Sequence, residues 1–283
     1  MSEVIVPQNR NRAMGGVKRD YQGKEKMGDN RSVKDLPRNA YTSMFEGFRD
    51  ELDEHHDRRM KIGKVSRDVT ALSKKIIFSL QRVRKLNQPI PPRIQKDIDD
   101  RLKEISELLA TIEGDVAGMN RYRYPLICLE EFIEAISFSH YLQHQKIITP
   151  SQAQEALPVN IPLTPSDYVF GIFDLTGEMM RFATALTALS GSMPGVSTEG
   201  SDDDRTILND MQEVSSMLQI CPTLGGKPGT YSKKLSIMIE QVRKVERLGY
   251  GITVRGNERP KGWMPDLNDA GGGDGDQEDV SMG

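Results

Sequence analysis

Four carboxylates have the spacing of a site. Glu131 and Glu134 are three residues apart in Glu131-Phe132-Ile133-Glu134, and Asp174 and Glu178 are four apart in Asp174-Leu175-Thr176-Gly177-Glu178. On a helix, either spacing sets the two side chains one turn apart on one face. Both pairs keep apolar company. The first helix carries Leu129, Phe132, Ile133 and Ile136 on one side, while the other side reads Ile127, Glu131, Glu134, Phe138 and Leu142. The second has a core stripe of Tyr168, Ile172, Leu175, Met179, Phe182 and Leu186. Its other stripe runs Asp167, Phe170, Gly171, Asp174, Glu178, Arg181 and Ala185. Each helix is expected to pack on two sides, with its acids inside the second contact.

Carboxylates in apolar surroundings must be neutralised, ion-paired or metal-bound, because an isolated buried charge is very costly. An all-oxygen donor set selects hard cations, Mg²⁺ first or Mn²⁺, and bundles build such sites from side chains on facing helices. At a phosphodiester, such an ion polarises a phosphoryl oxygen and activates water. The plainer reading is a set of ion pairs, with Arg181 one turn from Glu178. Spacing leaves both readings open. Gly171 and Gly177 bracket Asp174. Glycine inside a helix costs up to about 1 kcal/mol relative to alanine, so a close approach to the backbone is expected there.

Other side chains could hold a polyanion. Lys64, Arg67, Lys74, Lys75, Arg82 and Lys85 fall in one sector of the helix predicted over 43–86, interrupted by Asp68 and Ala71. Such a stripe could track a phosphate backbone, or it is an ordinary solvated face. Tyr122 and Tyr124 alternate with Arg121 and Arg123, a pattern able to stack on and grip a single strand. His140 and His144 have the spacing of a zinc pair, but Tyr141 stands where a zincin glutamate would be. His140 is better read as a satisfied core histidine. Gly225-Gly226-Lys227-Pro228-Gly229 lacks P-loop spacing and reads as a turn.

Helices must position these groups. Steps of three and four run through Phe45, Phe48, Leu52, Ile62, Val65, Val69, Leu72, Ile76, Leu80 and Val83, predicting one helix over 43–86 that ends before Pro89. Further helices are predicted over 93–117, 124–145, a short stretch after Thr149-Pro150, 165–189, 203–218 and 232–248. Thr149 and Thr164 each precede a proline, an N-cap with proline at the first helical position. Nothing alternates with period two over the length of a strand. The fold class is all-α, a helical bundle.

Composition bounds the rest. The chain has 283 residues, 28% of them charged, and two cysteines, Cys128 and Cys221, without disulfide or zinc spacing. A reducing compartment, cytoplasm or nucleus, is the expectation. No apolar run approaches the roughly 20 residues that span a bilayer, and no membrane association is expected. Residues 1–40 form a basic arm and 263–283 an acidic tail around Gly271-Gly272-Gly273. Both read as disordered. The helical domain is expected over 41–262.

Several of these stretches resemble the translin family, and within it the factor X branch. Phe48-Arg49-Asp50-Glu51-Leu52-Asp53, Lys64-Val65-Ser66-Arg67-Asp68-Val69-Thr70, the two acidic motifs, Ser232-Lys233-Lys234-Leu235 and Val254-Arg255-Gly256 carry the likeness over roughly 41–262. The resemblance implies a seven-helix translin-type bundle and assembly with a translin subunit into a hollow hetero-oligomer, usually an octamer. It implies a Mg²⁺-dependent endoribonuclease acting on single-stranded RNA, in RNA silencing or tRNA-fragment processing, with DNA reached through the partner. The metal-holding catalytic acids then map onto Glu131, Glu134, Asp174 and Glu178; the basic stripe, independently of the resemblance, adds Lys64, Arg67 and Lys74 as expected RNA contacts. Glu130 adds a carboxylate beside the pair and falls off the metal stripe. Two other readings stay open: a non-catalytic scaffold for a nucleic-acid-binding partner, and a DNA-binding module. The long two-faced helices suggest a chain that is not stable without its partner.

Overall fold

The structure, a computed structural model, describes residues 39–196, 205–221 and 229–255. The basic arm, save residues 39 and 40, and the acidic tail lie outside the described residues, as does most of the expected turn at 225–229. The chain divides at Asp53/Glu54 into two compact units.

In the first unit, α1 (Thr42–Leu80) begins. Its start is tied down by Asn39, whose side chain accepts from the Tyr41 amide at 2.9 Å. Phe45, Phe48 and Leu52 are exposed, so the inner stripe read from the sequence does not extend to this stretch. Phe45 and Phe48 meet edge to face at 6.0 Å between ring centres.

The second unit is a bundle of the remainder of α1 with α2 (Pro92–Ala110), α3 (Asn120–Arg123), α4 (Cys128–His144), α5 (Pro150–Ala156), α6 (Pro165–Ser190), α7 (Ile207–Ile220) and α8 (Thr230–Arg255). Gly195–Val196 and Arg205–Thr206 pair as a two-residue antiparallel ladder, β1 and β2. All-α is therefore the right class. Eight helices are present among the described residues, one of them the single turn α3. None is long and apolar enough to cross a membrane.

The central element is α4, which packs against α6, while α6 also packs against α8 and α7 lies on α8. From Phe132 to Phe138 every residue of α4 is buried, which is what a helix packed on two sides requires. Ile127 departs from this: it precedes α4 and is 65% exposed, because the helix begins at Cys128 and not at Tyr124. Pro125 is the cause, since the residue before a proline is pushed out of the helical region, and Tyr124 is extended at φ −117° and ψ 97°.

Both threonine starts are present as capping boxes. Thr149 accepts from the Gln152 amide, and Thr164 accepts from the Asp167 amide while Asp167 accepts from the Thr164 amide at 2.8 Å. Proline follows each cap, where its missing N–H leaves no bond unmade. The end of α2 differs from the sequence reading. The helix stops at Ala110 and the chain continues through tight turns to Val116. Ile112 and Val116 stay buried there, so the apolar spacing persists where the helix does not. Likewise α1 ends at Leu80, yet Val83 is buried in the turns that follow.

Candidate functional site

The four acids converge. Glu131 and Glu134 on α4, and Asp174 and Glu178 on α6, line one cleft of about 550 Å³. Lys74 and Phe78 of α1, Gln81 just beyond it, Arg181 of α6 and Gln241 of α8 complete the wall. The crossing that sets the acids face to face depends on Gly171. A Cβ at that position would lie 2.6 Å from Ile133 Cγ2 and 2.9 Å from the carbonyl oxygen of Glu130. The close approach expected at this glycine is thus made by α4 itself. At Gly177 the neighbour is the Gln241 amide nitrogen, 3.1 Å from the position of a Cβ.

Each acid has its own surroundings. Glu134 is 7% exposed, and burial, followed by the charges of Asp174, Glu131 and Glu178, pushes its carboxyl up to about 8. It has no cationic partner among the described residues. Glu178 is buried, accepting from Arg181 Nη1 at 2.8 Å and from the side-chain Nε2 of Gln81. Lys74 Nζ lies 3.3 Å from Glu131 Oε1. Asp174 accepts from Lys234 Nζ on both oxygens, at 2.8 and 2.7 Å. Among the described residues no three acid, histidine or cysteine side chains close on one point as a cation cage would. Glu131, Glu178 and Asp174 instead each pair with a separate cation.

Other sequence candidates land elsewhere. Lys64 and Arg67 are exposed on α1. Arg67 lines a second cavity of about 620 Å³ with Arg59, Arg123 and Tyr124, and does not reach the acids. Arg121 is not available to grip a strand. It is 3% exposed, pairs with Asp167 inside the fold and donates from Nε to the Pro162 carbonyl at 3.0 Å. Tyr124 is buried against His55, and only Tyr122 of that quartet's rings is exposed. His140 is half-buried and lies beside His144, the rings tilted with centres 4.6 Å apart, so it is not a core histidine. Its pKa is lowered by burial and by the neighbouring ring.

Three features escaped the sequence reading. Phe78, 69% exposed, stands at the cleft's edge. It follows the buried Ile77 and gave no periodic signal. Lys234 lies 60 residues from Asp174, beyond any local pattern. A buried network gathers Asp210, which accepts from Tyr141 Oη at 2.7 Å, from Gln145 Nε2 at 3.0 Å and from Arg205 Nε.

Known proteins resemble this chain. The family model described as Translin family matches residues 57–256. "Translin-associated protein X" of Mus musculus is 27% identical over 251 residues, covering 79% of this chain and 82% of its own. The "Translin-associated protein X homolog" of Schizosaccharomyces pombe (strain 972 / ATCC 24843) is 28% identical over 218 residues, covering 75% and 87%. The solved structure of apo-NeC3PO superposes with a TM-score of 0.50 at 19% identity, over 72% of this chain and 94% of that one. At that identity the likeness concerns the fold.

Proposed function

The chain belongs to the translin family, and from that premise we propose that it is the catalytic subunit of a translin-containing, Mg²⁺-dependent endoribonuclease that cleaves single-stranded RNA. The observation that carries the reading is Glu134, a carboxylate buried among three others with no cation beside it among the described residues. Such a group is held protonated or finds a cation.

The donor set suits Mg²⁺, or Mn²⁺, because every candidate ligand is a hard carboxylate oxygen. Glu131, Glu134, Asp174 and Glu178 would hold it, and when bound it would supply charge stabilisation at a phosphoryl oxygen and an acidified water. The chain's own side chains do the rest. Lys74 and Arg181, both exposed at the rim, can attract the strand's phosphates to the acids. Phe78 offers an exposed ring on which a base can stack. Lys64 and Arg67, further along α1, extend the positive face away from the cleft.

The relatives' printed names, which describe association with translin, support a translin subunit as the partner. A second reading, a non-catalytic scaffold, is favoured by Lys74, Arg181 and Lys234, which already pair with three of the four acids. One assay separates the two. Wild type and Glu134→Ala are each assembled with translin and given single-stranded RNA, with and without EDTA. The nuclease reading expects cleavage lost both in the variant and on chelation. Unchanged cleavage by an assembled Glu134→Ala sinks the assignment, and failure to assemble with no Mg²⁺ dependence in wild type supports the scaffold.

A further inference from the structure

Lys234 stands behind the acid cleft. Its ammonium reaches both carboxylate oxygens of Asp174 at 2.7 and 2.8 Å and Glu130 Oε2 at 3.4 Å. It also lies 5.4 Å from the centre of the Phe170 ring. The side chain is 21% exposed. It is not part of the cleft wall, whereas Asp174 is. Lys234 therefore approaches Asp174 from outside the cleft.

Glu130 takes its meaning from the same contact. It falls off the stripe of Glu131 and Glu134, and its backbone carbonyl sits at the tight crossing over Gly171. Its side chain shares the Lys234 ammonium with Asp174. We propose that Lys234 is a positioning residue: anchored by Glu130 and the Phe170 ring, its ammonium fixes Asp174 in the orientation in which it takes a divalent cation. The inference rests on the metal reading given above.

The chemistry permits both contacts at once. A carboxylate offers about four lone-pair sites. One ammonium uses one per oxygen, leaving the outer lone pair of either oxygen free for a cation. Carboxylates that ligate metals are held by outer hydrogen-bond donors, and loss of such a donor lowers metal affinity or activity roughly 10–100-fold. Simple charge bookkeeping has the opposite sign, because deleting a positive group beside acids strengthens their pull on a cation. The direction of the effect therefore distinguishes positioning from mere proximity.

The test uses the full chain assembled with translin, with Mn²⁺ titrated as the probe and free Mn²⁺ followed by electron paramagnetic resonance. Lys234→Met keeps the apolar stem over Phe170 and removes the ammonium. Its Mn²⁺ affinity is expected to fall about 10–100-fold, to recover in Lys234→Arg, and its cleavage of RNA to return at saturating Mn²⁺. A merely structural lysine would give no such rescue by metal. Affinity equal to or tighter than wild type in Lys234→Met overturns the proposal. Should that variant not assemble, Lys234→Gln is read by the same criterion. A wild-type complex that binds no Mn²⁺ defeats the metal reading itself, and binding unaffected by Lys234 defeats only the positioning role.

Discussion

Gly171→Ala is the sharpest probe of how the acids are brought together. The new methyl would sit 2.6 Å from Ile133 Cγ2, 2.7 Å from Ile133 Cβ and 2.9 Å from the Glu130 carbonyl oxygen. Carbon atoms in contact prefer about 3.5–4.0 Å, so roughly 1 Å must be found. Turning Ile133 cannot supply it, because its own Cβ and a backbone oxygen are among the clashing atoms. The two helices must move apart. Overpacking of this kind costs about 1–3 kcal/mol, offset by the 0.5–1 kcal/mol or so that alanine contributes to a helix. With backbone involved the upper end applies, leaving a net loss of about 2 kcal/mol. That corresponds to a Tm lower by roughly 4–8 °C for a domain of this size. The assay is thermal unfolding of the translin complex at fixed concentration, since association shifts apparent stability. Gly63→Ala is the control: nothing lies within 4 Å of its Cβ position, and it should stabilise by about 0.5–1 kcal/mol. A Gly171→Ala protein as stable as wild type would refute the reasoning.

Three other outcomes are expected. Glu134 titrates near 8 in the folded chain against an ordinary 4.5, so the folded state holds the extra proton in that window. In EDTA, stability should therefore fall as pH rises from about 4.5 to 8, by an amount on the order of a few kcal/mol. Melting temperatures of wild type and Glu134→Gln across that range check this, and a slope as steep in the variant as in wild type contradicts it. Arg121→Met strands Asp167 inside the fold and should cost about 3–5 kcal/mol in urea unfolding, partly restored by adding Asp167→Asn. Phe78→Ala should weaken single-stranded RNA binding about 5–150-fold, the equivalent of about 1–3 kcal/mol for one lost base stack. Filter binding that shows no change removes Phe78 from the strand's path.

What the sequence revealed, and what it did not, divides along one physical line. Periodicity within a helix was legible: the two-sided burial of α4, the placing of each acid pair on one face of its helix and both threonine caps follow from spacing along one element. Pairing between helices was not. Arg121 looked like a nucleic-acid contact because nothing local says that Asp167 will meet it. Lys234 belongs to Asp174 only through the packing of α8 on α6. Apolar spacing also outlived the helix at Ile112, Val116 and Val83, where tight turns keep the same side buried. Propensity could not set those boundaries. The start of α4 does have a local cause in the sequence: Pro125 holds Tyr124 extended, and the helix begins at Cys128.

The cleft draws its negative groups from the middle of the chain and two of its polar partners, Lys234 and Gln241, from the last helix. During synthesis, α4 and α6 emerge before α8 exists. At about 5–20 residues per second, Lys234 follows Glu178 by several seconds. The chain that carries all four acids is thus made before the ammonium that pairs Asp174 and touches Glu130 in the folded protein, and a chain that stops short of α8 has those acids without that partner.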